Sequence, residues 1–186
     1  MGEPLAHLVR LACHDLRTPL ATISGFAKTM VRAGTLPERE ARFVAMIDQA
    51  SGQMNELISR LSLAAALSAG RHEQQLEDAD TFELAEAAAG DRVAVEGRGA
   101  IVRTDRELVR QALVGLAEAA LRHGQVERVG WQVDGRELVL APVVPEAAPV
   151  LEGSTPRDLG ALVARLAIEA VGGSLEIDAD TLRVRL

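Results

Sequence analysis

The sequence predicts an antiparallel helical hairpin, paired with a second copy into a dimeric four-helix bundle, followed by a small α/β sandwich. Three observations carry this. Residues 4–33, and a second stretch reaching about residue 69, repeat apolar side chains at three- and four-residue spacing. Gly34-Thr35-Leu36-Pro37-Glu38 breaks the pattern between them. Beyond residue 80 the pattern shortens into strand- and helix-length segments, with a hairpin signal at Asp134-Gly135.

In the first helix the stripe is Leu5, Leu8, Ala12, Leu16, Leu20, Ile23, Ala27, Met30 and Val31. Gly34 reads as the residue just past its end. Pro37 reads as the first turn of the second helix, with Thr35 or Leu36 near the cap. The second stripe is Phe43, Met46, Ile47, Ala50, Met54, Leu57, Ile58, Leu61 and Ala65. Two helices of this length joined by a short turn form a hairpin, and a lone hairpin cannot bury two such stripes. A homodimer follows from burial.

Residues 71–80 are polar and charged and read as a linker between a first domain, 1–70, and a second, 81–186. In the second, 81–89 reads as a short helix, 100–103 and 126–133 as strands, and 105–123 as an amphipathic helix. A strand follows Asp134-Gly135. Another helix over 157–171 stops at Gly172-Gly173, and strands at 174–177 and 182–186 complete a layer of helices on one face of a mixed sheet.

Composition excludes several classes. Hydrophobic residues make up 48% and aromatics 2%, with no Tyr, so the core is aliphatic, which suits helix-on-helix packing. A net charge of −7 argues against a nucleic-acid partner. Cys13 is the single cysteine, so neither an intrachain disulfide nor a cysteine metal cluster is expected, and no metal site is predicted. No apolar run approaches a membrane span, and the N-terminus lacks a basic segment before an apolar one. A cytoplasmic chain with no membrane partner is the expectation.

The chemistry concentrates in His14-Asp15-Leu16-Arg17-Thr18-Pro19-Leu20. A histidine nucleophile needs a solvent-facing ring nitrogen. Asp15 is adjacent and can hold the other nitrogen. Thr18 lies one turn on, Arg17 supplies positive charge, and Pro19 removes the hydrogen bond to the Asp15 carbonyl beside the nucleophile. A lone histidine on a helix is usually structural; it is the surrounding heptapeptide that singles out His14. Cys13 reads as a small buried hydrophobe, His7, His72 and His123 as solvated, and Met30, Met46 and Met54 as core gap-fillers.

These seven residues, continuing to Ile23 and Gly25, resemble the phosphoacceptor box of two-component histidine kinases, and the resemblance covers residues 4–69. It implies that His14 carries a phosphoryl group exchanged with response-regulator receiver aspartates. It also implies a dimeric hairpin, with Thr18 orienting a water that attacks the phosphorylated receiver. Residues 81–186 resemble the ATPase domain of that family with its nucleotide contacts removed. Gly115 and Ala119 stand where the resemblance implies two asparagines, Ala141 where it implies the adenine-reading aspartate, and Asp158 where it implies a phosphate-loop glycine. No bound cofactor is therefore expected, magnesium being supplied by the partner receiver domain.

Two alternatives stay open at this point. One is an ATP-dependent sensor kinase core with a divergent nucleotide site, which would use ATP. The other is a non-catalytic dimeric regulatory module, against which the Asp15/Thr18 pair argues.

Overall fold

The computed structural model describes residues 3–155 and 157–186 and divides into two compact units, Met1–Ala69 and Gly70–Leu186. The first is the expected hairpin of α1 (Glu3–Ala33) and α2 (Glu38–Ser68). Gly34 takes φ +64°, the left-handed turn that ends a helix, and its N–H donates to the Val31 carbonyl at 3.3 Å. Pro37 departs from expectation by one position. It is the cap of α2 rather than its first turn, and its carbonyl accepts the Ala41 N–H at 2.9 Å.

The hairpin seam differs from the expected stripes. On α1 it is Ala6, Cys13, Leu20 and Ala27, at seven-residue intervals, and on α2 it includes Val44, Ser51, Ala64, Ala65 and Leu67, all buried. Ser24 adds a hydrogen bond from its hydroxyl to Asp48 Oδ1 at 3.1 Å. Small side chains let the two helices approach closely. The large ones point elsewhere: Leu16 is 53% exposed, Phe26 68%, Met46 64% and Leu57 53%. Met30, Met46 and Met54, expected in the core, lie on this outer face. Phe43, Ile47, Met54, Leu57 and Leu61, spaced by four, seven, three and four residues along α2, follow the repeat of a helix–helix seam, and all five are exposed.

The second unit has strands β1 (Leu76–Asp80), β2 (Val93–Gly99), β3 (Ile101–Asp105), β4 (Val129–Gly135), β5 (Glu137–Ala141), β6 (Ser174–Asp178) and β7 (Thr181–Arg185). Its helices are α3 (Thr81–Glu86), α4 (Arg106–Gly124), α5 (Ala148–Glu152) and α6 (Leu159–Ala170). A five-stranded sheet runs β2-β4-β5-β7-β6, with β2 parallel to β4 and the other pairs antiparallel; β1 and β3 form a separate two-stranded ribbon. Trp131, Val133, Leu138, Leu140, Leu182 and Val184 are buried on one face of the sheet, in register across β4, β5 and β7. The opposite face carries Gln132, Glu137, Arg183 and Arg185, with Arg185 Nε donating to Glu137 Oε2 at 2.7 Å.

The Asp134-Gly135 signal is a two-residue hairpin between paired Asp134 and Glu137, and Gly135 supplies φ +59°. Three helices begin on an aspartate that caps them: Asp80 for α3, Asp105 for α4 and Asp158 for α6. The stretch 71–80, expected as a linker, is corrected: its second half is β1, hidden in the sequence because Glu77 and Asp78 stand at its centre. Strand β2 and helix α5 were not anticipated. The first is interrupted by Gly97 and Gly99, and the second is one turn long.

Candidate functional site

His14 is the twelfth of the 31 residues of α1, directly after buried Cys13, so the seam fixes the backbone from which it projects. Its side chain is 78% exposed and that of Asp15 70%. Asp15 Oδ1 is 3.2 Å from His14 Nδ1. With Nδ1 held there, Nε2 is the nitrogen left to solvent, available as a nucleophile. Arg17, Thr18 and Pro19 are all exposed on the same two turns. One turn and a half before His14, Arg10 and His7 approach each other at 3.3 Å, so His7 has a partner even though it is exposed. His14, Asp15, Arg17, Thr18 and Pro19 thus share two turns of one helix.

The second unit places the other singled-out residues differently. Gly115 is buried where α4 crosses α6, and a Cβ there would lie 3.0 Å from the Gly160 carbonyl oxygen and 3.5 Å from the Ala164 Cβ. Ala119, one turn on, is 1% exposed. Ala141 ends β5 opposite Gly130. The segment that follows folds inward: Val143, Ala147, Val150 and Leu151 are buried.

Asp158 is the polar centre of this region. Its Oδ1 accepts the Ala161 N–H at 3.1 Å, while its Oδ2 accepts Arg122 Nη1 at 2.7 Å and lies 2.9 Å from His123 Nε2. Burial alone pushes this carboxyl up; the Ala161 amide, His123 and the Arg122 charge outweigh burial and leave it below the ordinary carboxylate range. His123 and His72, expected to be solvated, are therefore corrected: each meets a buried capping aspartate, His72 at 3.3 Å from Asp105 Oδ2. Their partners are more than thirty residues away, so no local motif announces them.

The lowered Asp158 value has a sign that can be tested. A carboxyl lowered on folding contributes stability above its unfolded value, near pH 4, and that contribution is lost as pH falls through the folded value. Asp158→Asn, which retains a capping oxygen, is expected to melt below wild type near neutrality and to converge with it in strong acid. Melting curves across pH check this.

Among the described residues no group of His, Cys, Asp and Glu could hold a metal ion, and no helix is long and apolar enough to cross a membrane.

Residues 5–70 match the model of the His Kinase A (phospho-acceptor) domain. The chain is 32% identical over 165 residues to histidine protein kinase DivJ of Caulobacter vibrioides, covering 78% of this chain and 26% of that one. It is 31% identical over 205 residues to the sensor protein KdpD of Mycobacterium tuberculosis, covering 90% and 24%. The chain thus spans about a quarter of the length of these curated relatives. Two solved structures share the fold. The full-length ShkA structure superposes with TM-score 0.68 at 19% identity, covering 96% of this chain and 44% of ShkA. The histidine kinase AdeS of Acinetobacter baumannii gives 0.59 at 16%, covering 93% and 96%.

Proposed function

On the premise that the chain belongs to the two-component histidine kinase family, we propose that it is a histidine phosphotransfer protein that exchanges a phosphoryl group between His14 and the aspartate of a response-regulator receiver domain. The observation that carries this is the exposed His14 ring with Nδ1 turned to Asp15. In the transfer step the Nε2 lone pair attacks phosphorus of the aspartyl phosphate. An N–P bond forms, the O–P bond breaks, and the receiver carboxylate leaves with the electron pair. Asp15 balances the positive charge that grows on the ring, and Arg17 offsets charge on the phosphoryl oxygens. In this reading Thr18, one turn on from His14, would orient the water that hydrolyses the receiver's aspartyl phosphate, a reaction separate from the transfer.

We read the second unit as closed to ATP. At position 115 a Cβ would lie 3.0 Å from the Gly160 carbonyl oxygen, so any side chain there requires the α4–α6 crossing to shift. Ala119 and Ala141 offer no side-chain oxygen. The α6 N-terminus, where a phosphate would sit, holds the Asp158 carboxylate already paired with Arg122. An ATP-dependent kinase core is the second reading, favoured by the names of DivJ and KdpD. Mixing the chain with a receiver domain phosphorylated by acetyl phosphate tests the first reading, which expects acid-labile phosphate on His14.

The chain also acts as a homodimer in this reading, its outer stripe of Leu16, Ile23, Met54 and Leu57 closing a four-helix bundle. Met54→Glu/Leu57→Glu is expected to give a monomer by light scattering at concentrations where wild type is a dimer. An unchanged mass would place the interface elsewhere.

A further inference from the structure

Four arginines on the other helices find an anion about one turn away. Arg42 donates to Glu38, Arg60 to Glu56, Arg110 to Glu107 and Arg165 to Glu169. Arg10 of α1 does not. Its neighbours at that spacing are Ala6, His7, Cys13 and His14, and none is acidic. Its Nη2 lies 3.3 Å from His7 Nδ1, and among the described residues no carboxylate pairs with it.

The two histidines around Arg10 hold their ring protons on opposite nitrogens. Arginine has no acceptor, so Arg10 donates, Nδ1 of His7 accepts, and the proton of the neutral His7 ring is on Nε2. An ionised carboxylate only accepts, so at His14 the proton beside Asp15 is on Nδ1 and the lone pair is on Nε2. The outer nitrogen is thus nucleophilic in His14 and not in His7. What His7 does is hold one arm of the Arg10 guanidinium, which leaves Nη1 and Nε to a further acceptor.

His7, Arg10 and His14 share one face. At about 100° per residue they fall within an arc of about 60°, and Arg10 precedes His14 by about 6 Å along the axis. Helical side chains lean toward the N-terminus, so a group added at Nε2 of His14 extends over the turn that carries Arg10. Unmodified His14 offers Arg10 no anion. A phosphoryl group brings about two negative charges and three acceptor oxygens to the same place.

We propose that Arg10 binds the phosphoryl group of phosphorylated His14, with His7 as its positioning residue, and so stabilises the loaded form of the protein. This role rests on the reading of His14 as carrier and concerns the carrier alone, with no partner surface involved. The ion pair that Arg10 lacks forms only once His14 is phosphorylated. It therefore lowers the free energy of the loaded state, leaves the empty state unchanged, and shifts the transfer equilibrium from receiver aspartate toward His14. Arg17, three residues on, approaches His14 from the opposite side along the helix and does not replace Arg10.

The test uses the whole chain, loaded with phosphoramidate: Nε2 bonds to phosphorus, the P–N bond of the donor breaks, and ammonia leaves. A pH titration followed by 31P NMR reads the second ionisation of the phosphoryl group, which a neighbouring cation favours and a merely structural residue leaves alone. For Arg10→Ala we expect its midpoint to rise by about half a pH unit, and for His7→Phe by about half as much. Arg10→Lys keeps the charge and His7→Asn keeps an acceptor, so both should stay near wild type. With a phospho-receiver as donor, Arg10→Ala should lower the equilibrium ratio of phospho-His14 to phospho-receiver about three- to fivefold, an effect that vanishes in about 1 M salt. An unchanged midpoint and ratio in Arg10→Ala would overturn the role of Arg10 while leaving His14 as carrier. Wild type that takes no phosphoryl group on His14 from either donor would remove the carrier reading and this role with it.

Discussion

His14→Gln is expected to take up no phosphoryl group from a phosphorylated receiver, while keeping wild-type helicity and a stability within about 0.5 kcal/mol, because an exposed side chain away from packing contributes little to folding. Glutamine keeps the length and polarity of the side chain but has no nucleophilic nitrogen. Asp15→Asn is expected to slow transfer without abolishing it, since it weakens the partner at Nδ1, 3.2 Å away, and leaves Nε2 in place. Thr18→Ala should spare transfer to His14 and lower the rate at which the receiver loses phosphate. Quantifying acid-labile label in the three variants and wild type, beside circular dichroism, checks all of these. Full labelling of His14→Gln would put the acceptor on another residue.

The second large effect belongs to Gly115. Gly115→Asn, which restores the residue type that the family resemblance implies at this position, is expected to destabilise the second unit. Its Cβ would lie 3.0 Å from the Gly160 carbonyl oxygen, and backbone cannot swing aside as a flexible side chain would. Overpacking costs about 1–3 kcal/mol, and a buried amide without partners adds about 1–3 kcal/mol. Against a total stability of roughly 5–15 kcal/mol, this shifts the denaturation midpoint far outside experimental error. Gly115→Ala, with the Cβ alone, should cost less, because alanine recovers about 1 kcal/mol of helix propensity. Urea denaturation read by the fluorescence of Trp131, the buried indole of β4, follows this unit directly. An unshifted midpoint for Gly115→Asn, joined to new binding of Mg-ATP, would mean that the α4–α6 crossing is loose and the nucleotide reading mistaken.

How much of this was legible in the sequence depended on how local each signal is. The heptapeptide from His14 to Leu20 lies within two turns of one helix, and its geometry follows from helical spacing alone. The hairpin helices, the Asp134-Gly135 turn and the closing strands β6 and β7 were equally local. The direction in which each apolar stripe faces was not. Leu16 and Leu57 look like core residues in a list of spacings, yet Ala6, Cys13 and Ser51 make the seam, because small side chains win where two helices must approach. Strands β1 and β2 were missed because charge and glycine mask the alternation on which a strand is recognised. The pairing of His123 with Asp158 joins the end of one helix to the start of another, thirty-five residues later, and only the folded chain brings them together.

The most direct test of the account sets the two phosphoryl donors side by side. The chain is incubated with radiolabelled Mg-ATP, and in parallel with a labelled phospho-receiver, and acid-labile label on His14 is followed over time in each. The account predicts label from the receiver within seconds to minutes and none from ATP over the same period. Label from ATP at a comparable rate would contradict it and establish an ATP-dependent kinase core.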